Sequence, residues 1–114
     1  MEEKYIQQFK KGAYEMILLS LIAQKETYGY AILTEIQKQG GGIFAFAKEG
    51  TIYPILYRLT KAGLIQYRLC RRKQTGAKKK YYSLTGEGKD MLEKMKNFWE
   101  NYKDCVDGFM KGDA

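Results

Sequence analysis

The stretch GTIYPILYRLTKAG, residues 50–63, runs directly into LIQYRLCRRKQTGAKKKYYSL, residues 64–84, and the two together decide the fold. Helical spacing of apolar residues in the first predicts a helix over Thr51–Ala62, capped by Thr51. Pro54 then falls in its first turn, where proline is tolerated, whereas a helix that begins near Lys48 must bend there. The predicted buried stripe is Ile52, Ile55, Leu56 and Leu59. The opposite face offers Thr51, Tyr53, Tyr57, Arg58 and Lys61.

The second stretch predicts a β-hairpin. Its first strand alternates Ile65, Tyr67 and Leu69 with Gln66, Arg68 and Cys70, the period-two pattern of a strand. Tyr82 and Leu84 indicate a second, shorter strand. Between the strands we expect a basic loop with Arg71, Arg72, Lys73, Lys78, Lys79 and Lys80. Two strands alone are marginally stable, so this hairpin must rest on the helices.

Two helices are predicted before this segment. Apolar residues at steps of three and four indicate one helix over about residues 5–24, in which Gly12 marks either a break or a close approach of another backbone. A second helix starts near Tyr28, with Thr27 as its cap, and ends at the glycines of residues 40–42. Gly29, between two tyrosines, is interpreted as a packing glycine that lets the first two helices approach.

A long helix is predicted after the hairpin, with Thr85 as its cap and Glu87 and Asp90 near its N-terminus. Its apolar residues step by three and four, and a heptad series lies beside them. The first series is Met91, Met95, Phe98, Tyr102, Cys105 and Phe109, and the second is Leu92, Trp99 and Val106. Such a face packs on the domain, on a second copy or on both, and we favour self-association because the first three helices already form a small core.

Charge is concentrated in the segment that decides the fold. The 114 residues carry 20 Lys and Arg against 13 Asp and Glu, a net charge of +7. Residues 48–81 alone carry +9, while residues 1–47 are neutral and residues 82–114 carry −2. A solvated face is the ordinary explanation of a charge run. Inside a folded domain, however, the mutual repulsion destabilises the chain unless an anionic partner binds.

Composition excludes several classes of site. There is no histidine, so Ser-His and Cys-His nucleophile pairs and histidine zinc ligands are absent. Cys70 and Cys105 form no Cys-x-x-Cys motif, and glycines 40–42 lack the lysine of a phosphate-binding loop. We therefore predict neither an enzyme nor a metal or cofactor site. The polar start and the short apolar run of residues 16–23 predict a cytoplasmic protein without a membrane span.

Three helices, a basic hairpin and a last helix describe a winged helix-turn-helix domain, order ααα-ββ-α. We expect the chain to be mainly α with a small β-hairpin, residues 5–84 forming the domain and residues 85–110 a dimerisation helix. In this arrangement the helix over residues 51–62 enters the DNA major groove and the hairpin is the wing. The predicted DNA-binding residues are Lys48, Thr51, Tyr53, Arg58, Lys61, Arg71, Arg72, Lys73, Lys78, Lys79 and Lys80.

Residues 50–65 resemble the recognition-helix signature of the PadR-like transcriptional regulators. Lys11-Gly12 with Ile17-Leu18-Leu19 and Tyr28-Gly29-Tyr30 is similar to the first two helices of that family, and residues 80–88 to its junction between wing and last helix. The single C-terminal helix resembles the short subfamily. Thr60, where an acidic residue is common, and the basic run Lys78–Lys80 depart from the family pattern.

The resemblance implies a homodimeric repressor on a dyad-symmetric operator, with Thr51 and Tyr53 contacting double-stranded DNA. It implies a dimer interface on the last helix, formed by Met91, Leu92, Met95, Phe98, Trp99, Tyr102 and Val106. Some short members hold flat aromatic ligands at the dimer centre against a tryptophan, and Trp99 occupies the matching place. The implied ligand neighbours are Met16, Leu92, Met95 and Lys103. The alternative is that Trp99 is a dimer-core residue that binds nothing.

The residues, taken without the resemblance, also fit a second function. A winged-helix domain with a basic face also suits a module that binds an acidic protein partner. The two differ in salt dependence and sequence preference, because a duplex binder loses about 0.9 in log affinity per log salt for each phosphate neutralised.

Overall fold

The computed structural model describes residues 2–71 and 76–112. In that part of the chain the elements are α1 (Glu3–Lys11), α2 (Tyr14–Gln24), α3 (Gly29–Phe44), α4 (Glu49–Lys61), β1 (Ile65–Arg71), β2 (Lys78–Leu84) and α5 (Gly86–Lys111). A mainly helical chain with an antiparallel hairpin and a C-terminal helix is the predicted fold class, which is thereby confirmed.

The predicted helix over residues 5–24 is two helices. Gly12 follows the last residue of α1, and the N–H of Ala13 donates to the carbonyl of Lys10 at 3.0 Å, which closes α1 with a tight turn. A β-carbon at Gly12 would meet nothing within 4 Å. Of the two interpretations of Gly12, the break is therefore the one observed. The helices also differ in packing, since α1 contributes no buried residue and α2 contributes Tyr14, Leu18, Leu19 and Ile22.

The core lies between α2, α3 and α4 and is closed by the base of the hairpin. Its most deeply buried side chains are Leu18, Leu19, Ile32, Ile52, Leu56, Leu59 and Ile65. All four residues of the buried stripe predicted for residues 51–62 are in this core. Burial of large aliphatic side chains stabilises such a domain by about 1.5–3 kcal/mol for each.

The predicted N-cap of α3 is wrong, whereas the predicted interruption at the glycines of residues 40–42 is observed at Gly41. The N-cap is Tyr28, while Thr27 pairs with β2: its N–H donates to the carbonyl of Tyr82 at 3.2 Å and its carbonyl accepts from the N–H of Tyr82 at 2.6 Å. At the other end α3 continues to Phe44 through a kink at Gly41, whose φ of +54° favours glycine. The ring of Phe44 packs edge-on against Tyr14 with 5.5 Å between centroids, and this contact holds the last turn.

The N-cap of α4 is Lys48, three residues before the predicted cap Thr51, and the helix begins at Glu49. Pro54 consequently lies in the second turn, where it cannot donate a hydrogen bond to the carbonyl of Gly50. Burial of the apolar stripe on both sides of Pro54 compensates for that loss.

The hairpin is longer than predicted. Arg71 pairs with Lys78, Cys70 with Lys79 and Leu69 with Lys80. Residues 78–80 are therefore in β2 and not in the loop, because their backbone groups complete the ladder with β1 regardless of their charge. Thr27 adds a short bridge to the other edge of β2.

α5 is tied to the hairpin at its start. The hydroxyl of Thr85 accepts from the N–H of Gly88 at 3.0 Å, which confirms the predicted cap. The same hydroxyl donates to the carbonyl of Gly63 at 2.7 Å. A β-carbon at Gly88 would lie 1.9 Å from the carbonyl oxygen of Leu64, so glycine is required there. Further along, Leu92 is buried with 4% exposure and packs in the core.

Candidate nucleic-acid interface

The outward face of α4 carries the residues predicted to bind DNA. Lys48, Arg58 and Lys61 are exposed, and Thr51 is half-buried. The ammonium of Lys61 lies 5.5 Å from the ring centroid of Tyr57, which is also exposed. Among the described residues the acidic neighbour of Arg58 is Glu15, at 3.8 Å, a distance too long for a hydrogen bond. Its guanidinium donors therefore stay open to an anionic ligand.

Tyr53 connects this face to the start of α3. The side chain is 44% exposed, and its ring passes over Gly29 so closely that a β-carbon there would lie 2.5 Å from a ring carbon. Burial, and secondarily the carboxylate of Glu49, raises the pKa of the Tyr53 hydroxyl above its ordinary value. The hydroxyl is therefore a neutral hydrogen-bond donor at physiological pH. Gly29 was interpreted as a glycine between the first two helices, but its close neighbour is this ring on α4.

The start of α3 is a site of positive potential. Its first backbone N–H groups have no partner inside the helix, and the first intrahelical bond runs from Ile32 to the carbonyl of Tyr28 at 2.9 Å. The N-terminus of a helix attracts phosphate through these groups and through the helix dipole. Tyr53 lies at this N-terminus. The exposed face of α4 therefore continues into an anion-attracting helix end.

The hairpin distributes its cations over two faces, because successive residues of a strand point to opposite sides. Lys79 is on the face of Tyr28, with its ammonium 3.9 Å from the centroid of that ring. Lys80 is on the other face, 4.6 Å from the ring of Tyr67. Arg71 and Lys78 face each other across the ladder on the side of Lys80. Three consecutive lysines therefore cannot serve one phosphate strand together.

The predicted cations Arg72 and Lys73 lie outside the described residues. Arg71, Lys78 and Lys80 are exposed, and Lys79 is half-buried. All four are on the hairpin that follows α4 directly.

The sequence did not indicate one pair near this surface. Arg68 donates from Nε and Nη2 to the two carboxylate oxygens of Glu26, at 2.8 and 2.7 Å. This bonding lowers the pKa of the Glu26 carboxyl and raises that of Arg68. The two residues are 42 positions apart, and no local pattern points from one to the other.

A groove of about 790 Å³ lies between the α1–α2 turn and the middle of α5. Phe9, Gly12, Glu15 and Met16 line one side, and Met95, Phe98, Trp99, Tyr102 and Val106 line the other. Three of the predicted ligand neighbours, Met16, Met95 and Trp99, thus line one space.

Two predicted ligand neighbours lie elsewhere. Leu92 is in the core of the chain itself, so the expectation that it contributes to an accessible interface or ligand surface is wrong. Lys103 does not line the groove and pairs with Glu100 at 3.1 Å. Phe9 belongs to the apolar series that predicts the first helix, but it is not among the predicted interface or ligand residues; it is 77% exposed and lines the groove.

In residues 2–71 and 76–112 none of the helices is both long and apolar enough to cross a membrane. No group of three or more cysteine, aspartate or glutamate side chains is arranged there to hold a metal ion.

Comparisons with known proteins agree on one family. The family model described as the transcriptional regulator PadR-like family matches residues 18–94. An uncharacterised protein of Lysinibacillus sphaericus is 35% identical over 102 residues, which cover 90% of this chain and 92% of that protein. The crystal structure of a PadR-like transcriptional regulator from Bacillus cereus is similar at 38% identity and a TM-score of 0.77, covering 90% of this chain and 96% of that one. A PadR family transcription regulator from Clostridium difficile is similar at 33% identity and a TM-score of 0.75, covering 86% and 98%.

Proposed function

The chain belongs to the PadR-like family of transcriptional regulators and is a DNA-binding transcription regulator, and from that premise we propose that it acts as a homodimeric cytoplasmic repressor on a dyad-symmetric operator. Members of this family are regulators of transcription and not enzymes. The observation that carries the proposal is the continuous surface formed by the outward face of α4, the N-terminus of α3 and the cationic hairpin.

In the proposed complex α4 enters the major groove. Thr51 and Tyr53 contact bases or phosphates near its start, while Lys48, Arg58 and Lys61 neutralise the backbone. Arg71, Lys78 and Lys80 contact phosphates from one face of the hairpin, and Lys79 contacts phosphates from the other face. Arg72 and Lys73 are proposed to contribute further phosphate contacts. Cations fix the register on the duplex, and base contacts select the sequence.

Self-association through α5 is supported by its exposed apolar side chains. Phe98, Trp99 and Tyr102 would remain in water in an isolated chain, and a contiguous apolar surface of this kind indicates an interaction site. When two copies of α5 pack on each other about a two-fold axis, the dimer presents its two copies of α4 to successive major grooves, about 34 Å apart. Such a dimer requires an operator with dyad symmetry.

We further propose that a planar aromatic ligand binds between the copies of α5 and releases the operator. Support comes from the groove, in which Trp99 lies together with Met16 and Met95. A flat aromatic molecule stacks favourably on an indole ring in apolar surroundings.

Selection from a pool of random duplexes tests the DNA part of the proposal. We expect the wild-type protein to enrich a dyad-symmetric sequence and Tyr53→Ala to lose that enrichment while remaining folded. Transcription from a promoter that contains the selected sequence should fall when the protein is added. If the protein enriches no sequence, and binds duplexes and an acidic polypeptide equally well, the module for acidic partners is the better function.

Fluorescence tests the ligand part separately, since Trp99 is the only tryptophan. Planar aromatic compounds should quench its emission to a saturating limit, and the same compounds should release the selected duplex. Quenching that rises without saturation for every compound would exclude the ligand site and leave the DNA part unaffected.

A further inference from the structure

Glu26 and Arg68 form an ion pair of unusual quality for a protein surface. Two parallel hydrogen bonds of 2.7 and 2.8 Å join the guanidinium to the carboxylate, although both side chains are more than one-third exposed. In the part of the chain that the structure describes, the other ion pairs are Arg58–Glu15 at 3.8 Å and Lys103–Glu100 at 3.1 Å. Of these three ion pairs, only Glu26–Arg68 has the bidentate geometry that makes arginine–carboxylate contacts strong.

The pair is fixed on both sides. Glu26 precedes Thr27, which is bridged to Tyr82 of β2 by two backbone hydrogen bonds. The Arg68 guanidinium lies 5.3 Å from the ring centroid of Tyr81, and that ring packs edge-on against Tyr28 at 5.3 Å. Little side-chain entropy remains to oppose the pair, because its surroundings already order both partners.

Arg68 occupies a place where a DNA phosphate is expected. It is on the same hairpin face as Lys79, whose ammonium lies over Tyr28, the N-cap of α3. The helix N-terminus, Lys79 and Arg68 are thus neighbours on one surface. A guanidinium uses the same fork of donors for a carboxylate and for a phosphate. Glu26 therefore occupies the Nε–Nη2 side of the guanidinium, one of the two-donor edges that a phosphate would use.

We propose that Glu26 is a positioning residue that withholds Arg68 from DNA phosphates and so lowers the affinity of the protein for duplex of any sequence. The inference rests on the DNA binding stated above. Each neutralised phosphate adds about 0.9 to the slope of log affinity against log salt. Releasing Arg68 therefore strengthens binding to a random-sequence duplex, and this gain in affinity should be about eightfold larger at 0.1 M salt than at 1 M.

A double-mutant cycle with Glu26→Gln and Arg68→Gln tests this, with binding of the full-length protein to a fluorescent random-sequence duplex measured over a salt series. We expect Glu26→Gln to raise the slope by about 0.9 and Arg68→Gln alone to leave it unchanged. The double variant should return to the wild-type slope. The diagnostic result is this dependence of the Arg68 effect on the residue at position 26.

Glu100→Gln is the matched control, because it removes the same charge from an ion pair on α5. It should leave the slope unchanged, and thermal unfolding followed by circular dichroism should show that every variant is folded. Equal effects of Arg68→Gln in both backgrounds would overturn the inference, as would a rise in slope with Glu100→Gln or no rise with Glu26→Gln. A wild-type protein that binds no duplex would overturn the DNA-binding function itself, which distinguishes the two failures.

Discussion

The ring of Tyr53 lies directly against the backbone of Gly29, so the recognition surface of α4 and the N-terminus of α3 are in contact through one side chain. A β-carbon at position 29 would come within 2.5 Å of the ring. The ring is at the free end of a partly exposed side chain and moves without a change in the backbone. Position 29 therefore controls where the Tyr53 hydroxyl points more than it controls folding.

Gly29→Ala should weaken binding to the selected operator by about tenfold or more, within the cost of losing one base contact. The free energy of unfolding should change little, because the displaced ring turns outward into solvent. Fluorescence anisotropy with the operator duplex and urea unfolding measure the two quantities. Gly86→Ala is the control, since a β-carbon there meets nothing within 4 Å. Unchanged operator affinity in Gly29→Ala would show that the position of the Tyr53 ring is unimportant for binding.

Gly88→Ala, in contrast to Gly29→Ala, should lower the free energy of unfolding substantially. Here the new β-carbon would meet the Leu64 carbonyl oxygen at 1.9 Å, and backbone cannot turn aside as a ring can. We expect a loss of about 2–3 kcal/mol in the free energy of unfolding, a typical cost of overpacking. Urea unfolding of Gly88→Ala beside Gly86→Ala measures it. A cost below that of ordinary surface substitutions would mean that the close approach of α5 to Leu64 is absent in solution.

Local pattern predicted the buried stripe of α4 and the cap at Thr85, because apolar spacing and capping chemistry are properties of neighbouring residues. Local pattern gave the wrong structure where contacts between residues far apart in the sequence determine it. Thr27 has the composition of a cap, yet its backbone pairs with Tyr82, more than fifty residues away. Lys78–Lys80 resemble a charged loop, yet the ladder with β1 makes them a strand.

The candidate site shows the same division. The cationic residues of α4 and the hairpin could be named from sequence, since charge is visible in composition. The distribution of these residues over the two hairpin faces, and the pairing of Arg68 with Glu26, depend on tertiary contacts. Leu92 was misplaced because heptad spacing does not distinguish contact with the chain's own core from contact with a second copy.

Lys78→Gln should stabilise the fold while it weakens DNA binding. Lys78 is directly opposite Arg71, and like charges in cross-strand pairs are destabilising. We expect a gain of about 0.2–1 kcal/mol in the free energy of unfolding together with a decrease of about 0.9 in the salt slope for duplex binding.

Lys79→Gln is the informative comparison for Lys78→Gln. The Lys79 ammonium lies over the Tyr28 ring, so its removal should lower the free energy of unfolding by about 0.5–1 kcal/mol. The salt slope should fall by about 0.9, as expected for Lys78→Gln. Stability changes of the same sign in both variants would contradict the assignment of the two residues to opposite faces.

Tyr82 should make the fold sensitive to alkaline pH. Burial raises the pKa of its hydroxyl above the ordinary 10.0, and the neighbouring Tyr53 and Tyr67 raise it further. The folded chain therefore keeps this proton at a pH where the unfolded chain loses it. This contribution to stability is complete below about pH 10 and is lost as pH rises through the raised pKa.

Tyr82→Phe removes the titrating group and keeps the ring. Its free energy of unfolding should decline less than that of the wild type between about pH 9 and pH 11, as measured by urea unfolding. Tyr57→Phe, at an exposed position on α4, serves as the control. An equally steep decline in Tyr82→Phe and wild type would assign the alkaline sensitivity to other groups.

Val106→Lys should separate the proposed dimer. Val106 lines the groove beside Trp99 and Tyr102, so a lysine there would place an ammonium group in an apolar interface between two copies of α5. A buried charge without a partner costs several kcal/mol, which opposes the association of the two copies. Asn97→Lys places the same charge at an exposed position of α5 that does not line the groove. Sedimentation equilibrium should give a dimer for the wild type and Asn97→Lys and a monomer for Val106→Lys. Since a monomer presents only one α4, Val106→Lys should also lose its preference for dyad-symmetric DNA, whereas dimers in all three proteins would place the interface away from this groove.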